Sequence, residues 1–128
     1  RSDFRWDCFG TIRNNTALKQ DDIQSTSWQN LPLQNGWRHH PDYNNVQCSK
    51  TFDDIVYLRG SANRGRTTGE TVIGVLPEGF RPTQTLFVQA LNNSYTVAVL
   101  GIYSNGNIVV KGNVDATWLN FDNISFKI

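Results

Sequence analysis

Methionine is missing from all 128 residues, cysteine occurs twice, and proline only four times. No apolar run approaches the ~18 residues of a membrane span, and neither a secretory signal nor a transit peptide is visible. Charge of one sign is missing as well, since twelve Lys and Arg against eleven Asp and Glu leave a formal net charge of +1. A chain with so little basic field has nothing to gather nucleic acid, and its cations are scattered apart from Arg64 and Arg66. No nucleic-acid or membrane partner is therefore expected. Cys8 and Cys48 lack a Cys-x-x-Cys spacing and a His at ligand distance in sequence, which weakens a zinc reading. One disulfide, closing a loop of ~40 residues worth ~3–4 kcal/mol, and two reduced thiols acting as small apolar residues both remain open. A chain that opens on Arg1 and contains no methionine is expected to be a domain of a longer polypeptide.

Helical periodicity is almost missing too; the segment 17–24 has room for one or two turns at most. What is present is a repeated strand pattern. Short runs rich in Val, Ile, Phe, Tyr, Trp and Thr recur every ~8–12 residues between turn residues, as in sandwiches and barrels. Nine strands are expected, near 28–33, 37–40, 46–52, 55–61, 70–76, 85–90, 95–103, 107–111 and 117–126. Residues 1–27 read as an N-terminal strand and connecting segment, and 28–128 as the β-domain proper. Asn35-Gly36 and Asn105-Gly106 are hairpin turn pairs, because Asn and Gly tolerate φ > 0 at least cost. Asp53-Asp54 reads as a turn between two strands. The run 95–103 is apolar on both faces, as expected of a strand that is central or that meets another subunit.

No motif for catalysis emerges. A Gly-x-Ser-x-Gly elbow is absent, and the acidic residues sit where turns are expected anyway. The loop 60–69 has three glycines and two arginines, but a strand follows it and it lacks the P-loop lysine. It reads as a flexible connection or as a place where Arg64 and Arg66 greet an anionic group. His39 and His40 are adjacent, so on a strand they point to opposite faces and cannot share one metal unless a bulge intervenes. No cofactor and no metal is expected. Trp28 and Trp118 are assigned to packing, while Trp37, Tyr43, Tyr95 and Tyr103 are left as rings for either core or ligand.

In order along the chain stand Trp28-x-x-Leu31-x-Leu33-x-Asn-Gly-Trp37, Val56-Tyr-Leu-Arg-Gly60, Ile73-Gly-x-Leu-Pro-Glu-Gly-Phe-Arg-Pro82, Gly106-Asn-Ile108 and Trp118-Leu-x-Phe-Asp-Asn-Ile-Ser-Phe126. That order resembles the C-terminal head domains of tail-fibre or baseplate receptor-binding proteins from phages of Gram-positive bacteria, over residues 28–126. The resemblance implies an all-β, antiparallel β-sandwich of jelly-roll type that forms a homotrimer at the tip of a phage tail. It implies non-catalytic recognition of a cell-wall polysaccharide or teichoic acid, with other tail or baseplate proteins bound through an N-terminal part. The quoted motif residues look structural, so the resemblance names no binding residue. On chemistry alone, ligand contacts are expected from His39, His40, Asp42 and Tyr43 on one loop, Arg64 and Arg66 on a second, and Asn92, Asn93 and Tyr95 on a third. A trimerisation or tail-assembly domain without ligand, and a wall depolymerase fragment, are the competing functions.

Overall fold

The computed structural model describes residues 26–128; the N-terminal strand expected before them, with Cys8, lies outside the described residues. Among the described residues, eleven short strands form two antiparallel sheets around one core. β1 (Gln29–Asn30), β3 (Gln47–Lys50), β4 (Ile55–Arg59) and β11 (Ser125–Lys127) make a four-stranded sheet in the order β1-β3-β4-β11. β2 (Arg38–His39), β5 (Ser61–Asn63), β10 (Leu119–Asn120), β7 (Leu86–Asn92), β8 (Val97–Ile102), β9 (Asn107–Gly112) and β6 (Val72–Val75) make a seven-stranded one, in that spatial order. Alternate side chains of both sheets meet between them. Val56 and Leu58 of β4 are buried, as are Ala98, Leu100 and Ile102 of β8, against Phe121 at the centre. Burial of each of these side chains larger than alanine is worth about 1.5–3 kcal/mol.

Two of the nine expected strands are each two strands in different sheets. The run 55–61 breaks at Gly60, where β4 leaves the smaller sheet and β5 joins the larger one. Gly60 has φ +100°, and a Cβ there would lie 1.9 Å from the Asn45 carbonyl oxygen, so no other residue fits the corner. The run 117–126 breaks opposite it, with β10 pairing to β5 and β11 pairing to β4. The two chain segments thus cross between sheets side by side. Phe121 N–H donates to the Gly60 carbonyl (2.8 Å), Leu58 N–H to the Ile124 carbonyl (2.9 Å), and Gly60 N–H to Asp122 Oδ1 (2.7 Å).

The turns follow the sequence in part. Asn35 and Gly36 both have positive φ, as their pairing predicts, but they join segments that do not pair with each other: Leu33 bridges to Gly74, whereas β2 pairs with β5. Asn105-Gly106 does connect the antiparallel pair β8–β9, yet only Gly106 has positive φ. Its N–H donates to the Tyr103 carbonyl (2.8 Å), and Tyr103 N–H donates to the Asn107 carbonyl (2.9 Å). This is a three-residue loop with glycine in the left-handed position, the next commonest hairpin solution. Asp54 at φ +66° closes the β3–β4 turn in the same way.

β8 is central, flanked by β7 and β9, and the core accounts for one of its two apolar faces, that of Ala98, Leu100 and Ile102. On the other face, Val97 remains 47% exposed and Phe87 of β7, opposite Gly101 on that same face, 68% exposed. Among the expected packing residues, Trp28 is not in the core: it lies on the smaller sheet with the Arg59 guanidinium 4.2 Å from its ring centre. Trp37 is buried and donates from Nε1 to the Arg66 carbonyl (3.0 Å). Cys48 is fully buried in the core, where desolvation pushes its thiol pKa up to about 11.

Candidate functional site

At one end of the larger sheet, three loops surround a cleft of about 650 Å³ lined by His40, Asp42, Tyr43, Asn93, Ser94, Tyr95, Thr117 and Trp118. The sheet register brings these distant segments together. His40 N–H donates to the Ser61 carbonyl (2.8 Å), Asn120 pairs with Ser61 and Leu91, and the strands β2, β5, β10 and β7 therefore deliver their ends to one place. Pro41 lies just beyond the end of β2 and supplies no N–H to prolong the ladder, so the chain turns out into the 41–45 loop. After β7 the chain makes a 3-10 turn, Asn93–Tyr95, closed by Asn92 N–H donating to the Thr96 carbonyl (2.8 Å).

Trp118 is the centre of the cleft's aromatic group. Its ring lies 5.9 Å from Tyr43 at 46° and 6.1 Å from Tyr95 at 79°, while Tyr43 packs edge-on against His40 at 4.9 Å. Tyr43 is 54% exposed and Tyr95 80% exposed, so both rings are offered to solvent. The indole, by contrast, is fixed from behind. Its Nε1 donates to Ser61 Oγ (3.1 Å), which also accepts from Asn120 Nδ2 (2.9 Å). Asn120 is tied in turn to Asp122, its amide reaching Oδ2 (3.1 Å) and its carbonyl accepting the Asp122 N–H (3.1 Å). The network ends at the Gly60 corner through Asp122 Oδ1. Satisfied buried networks of this kind rigidify what they hold.

Ser94 and Tyr95 both sit at positive φ, +60° and +59°. For a bulky residue such as tyrosine this is an outlier, costing of order 1–2 kcal/mol, and strain of this kind collects at binding and switch loops. This turn carries the exposed Tyr95 ring, steeply inclined to the indole of Trp118.

The nine candidate residues divide into three groups. His40, Asp42, Tyr43, Asn93 and Tyr95 line the cleft. His39 and Asn92 face inward. His39 Nδ1 accepts the Val46 N–H (2.9 Å), and burial lowers its pKa below 6.5. Asn92 is buried; its Oδ1 accepts the Asp115 N–H (2.9 Å) and its Nδ2 donates to the Asn113 carbonyl, which pins the 113–115 segment. Arg64 and Arg66 are exposed on a separate loop outside the cleft lining. Their loop nonetheless reaches the rim, because Arg64 N–H donates to the carbonyl of Ala116, next to Thr117. Trp118, Ser94 and Thr117 were not expected there. Trp118 reads as core in sequence because most tryptophans of a small β-domain are buried, but it alternates with Leu119 and Phe121, which enter the core while its own ring stays half-exposed. Among the described residues no three His, Cys, Asp or Glu side chains gather as metal ligands.

No family model and no curated protein matches this sequence. The solved structures give a different answer. The receptor binding protein (gp15) of Listeria phage PSA superposes with a TM-score of 0.70 at 16% identity, over 84% of this chain and 67% of that one. The two chains share a fold. The likeness extends the sequence resemblance to phage receptor-binding heads into three dimensions, while at 16% identity it transfers no residue of the cleft.

Proposed function

We propose that this domain is the receptor-binding head of a phage tail protein, which holds a bacterial cell-wall glycopolymer in the cleft around Trp118 without breaking it. Three exposed or half-exposed rings on loops, ringed by hydroxyl, amide, imidazole and carboxylate groups and backed by a fixed hydrogen-bond network, carry this reading. Ligand sites of this kind pair apolar surface with a few placed polar groups. The shared fold with a receptor binding protein supports the same function and a place at the tail tip of a virion.

In this reading the head is a β-sandwich of jelly-roll type and acts as a homotrimer joined to other tail or baseplate proteins through an N-terminal part. Single saccharide sites bind weakly, and three on one head gain avidity. The exposed apolar side chains of Phe87 and Val97 on adjacent strands suit burial between copies. The polymer is a wall polysaccharide or a teichoic acid, whose phosphates would meet Arg64 and Arg66 at the rim.

The test is binding of the labelled head to intact Gram-positive cells, before and after the wall glycopolymer is stripped. Binding lost on stripping supports the reading. A stable trimer that binds no host cell makes this an assembly domain, and release of reducing ends or phosphate over time makes it a depolymerase.

A further inference from the structure

The charge inside the cleft is unlike the charge beside it. Among the described residues neither lysine nor arginine lines the cleft, and the one charged group there is the Asp42 carboxylate. Three aromatic rings, whose faces carry the negative side of the quadrupole, make up most of the rest. A phosphate or carboxylate entering here would meet a like charge and π faces, with no cation among the described lining residues to receive it. The arginines that suit an anion stand outside, on the loop hydrogen-bonded to Ala116.

The polar groups have a complementary pattern. His40 Nδ1 accepts the Asp42 N–H (3.2 Å), so the neutral ring carries its proton on Nε2 and offers a donor. Asp42 offers acceptors, and the Asn93 amide, Ser94 and Thr117 offer both. Vicinal hydroxyls each donate and accept, which is what such a perimeter satisfies. The apolar C–H face of a sugar ring matches an aromatic floor, and Tyr43 and Tyr95, at 46° and 79° to the indole, stand as walls beside it.

We infer that the cleft seats an uncharged sugar ring stacked on Trp118 and that it excludes the anionic groups of the polymer. The inference rests on the cleft being the receptor site, and it names what part of the receptor enters. The volume of about 650 Å³ falls in the usual range for small-ligand clefts, roughly 300–1,000 Å³, and suits a short oligosaccharide branch. Trp118 determines specificity as the stacking floor; Ser61 and Asn120 are positioning residues that act through it.

The experiment titrates the protein with uncharged saccharides (glucose, galactose, N-acetylglucosamine and their short oligomers) and separately with a sugar-free poly(glycerol phosphate), following tryptophan fluorescence and heat. At least one uncharged saccharide should bind, with an affinity that changes less than about twofold between about 50 mM and 500 mM salt. Tyr95→Ala, which removes an exposed ring and little packing, should weaken that binding about tenfold, as should Trp118→Ala in protein shown folded by circular dichroism. The inference is overturned if the sugar-free phosphate polymer binds in a manner lost in Tyr95→Ala and weakened by salt, in which case the cleft is still the receptor site. It is overturned equally if no saccharide binds, or if saccharide binding ignores both substitutions. Host-cell binding that survives both substitutions overturns the receptor-site reading itself.

Discussion

The cleft and the neighbouring arginine loop meet at the Thr117 rim yet are built on opposite plans. In the cleft, side chains are fixed: the Trp118 indole is held through Ser61, Asn120 and Asp122 to the Gly60 corner. In the arginine loop it is the backbone that is held, Arg64 N–H by Ala116, Arg66 N–H by Asn35 and the Arg66 carbonyl by Trp37, while both guanidinium groups are exposed. Stacking falls away with small misplacements, whereas a charge acts over the ~8–10 Å of a Debye length. A ring platform therefore needs a buried support and a cationic patch does not.

The sharpest way to break this contrast is at the shared corner. Gly60→Ala forces a Cβ onto the Asn45 carbonyl, and we expect a loss of about 3 kcal/mol or more in urea unfolding, with the cleft lost before the rest of the fold. Asn120→Ala should be smaller, about 1–3 kcal/mol, because it frees Ser61 and Asp122 without touching the backbone. Its signature is a tryptophan emission that becomes broader and more quenchable by iodide. Arg64→Ala with Arg66→Ala should leave stability within about 0.5 kcal/mol and lower cell binding in a salt-dependent way. Equal loss at low and high salt would place these arginines in the stacking site after all.

Two finer predictions concern single residues. Burial lowers the His39 pKa below 6.5, so the folded protein binds fewer protons than the unfolded chain. The stability contributed by the neutral, Val46-bonded imidazole is complete above about pH 6.5 and falls as pH drops through that value. Denaturation midpoints at pH 7.5 and pH 5 should differ in that direction, and the difference should shrink in His39→Gln. Tyr95→Asn should be at least as stable as the parent, since asparagine tolerates φ +59° better and an 80% exposed ring contributes little packing. Thermal melting reads this directly; a clear loss of stability would mean the ring is a structural prop.

Strand chemistry made most of the fold legible in sequence. The β-branched and aromatic runs sit where the strands are, and period two within 55–59 separates buried Val56 and Leu58 from exposed Tyr57. What local pattern could not show is where a run changes sheets. Gly60 and the Asn120–Asp122 break look like ordinary turn chemistry until their pairing is known, and both divide a single expected strand. The candidate site was legible as far as loops are legible, through Pro41, the asparagines and the tyrosines. His39 and Asn92, candidates for ligand contact by their hydrogen-bonding chemistry, are engaged in part-buried hydrogen bonds from the Val46 and Asp115 N–H groups, which no local pattern shows. Trp118 went the other way, since its partners Ser61, Tyr43 and Tyr95 are 23 to 75 positions away in the chain.

The strained 3-10 turn at Asn93–Tyr95 bears on the proposed receptor role. Its shape is held by the Asn92–Thr96 backbone bond and by the Thr96 hydroxyl donating to the Asn93 carbonyl (3.0 Å), neither of which involves the outward ring. Position 95 can therefore exchange one side chain for another while the turn keeps its course. Under the proposed function, a lineage drifting between receptors, or an engineer retargeting the domain, has in this turn a place where specificity varies separately from folding.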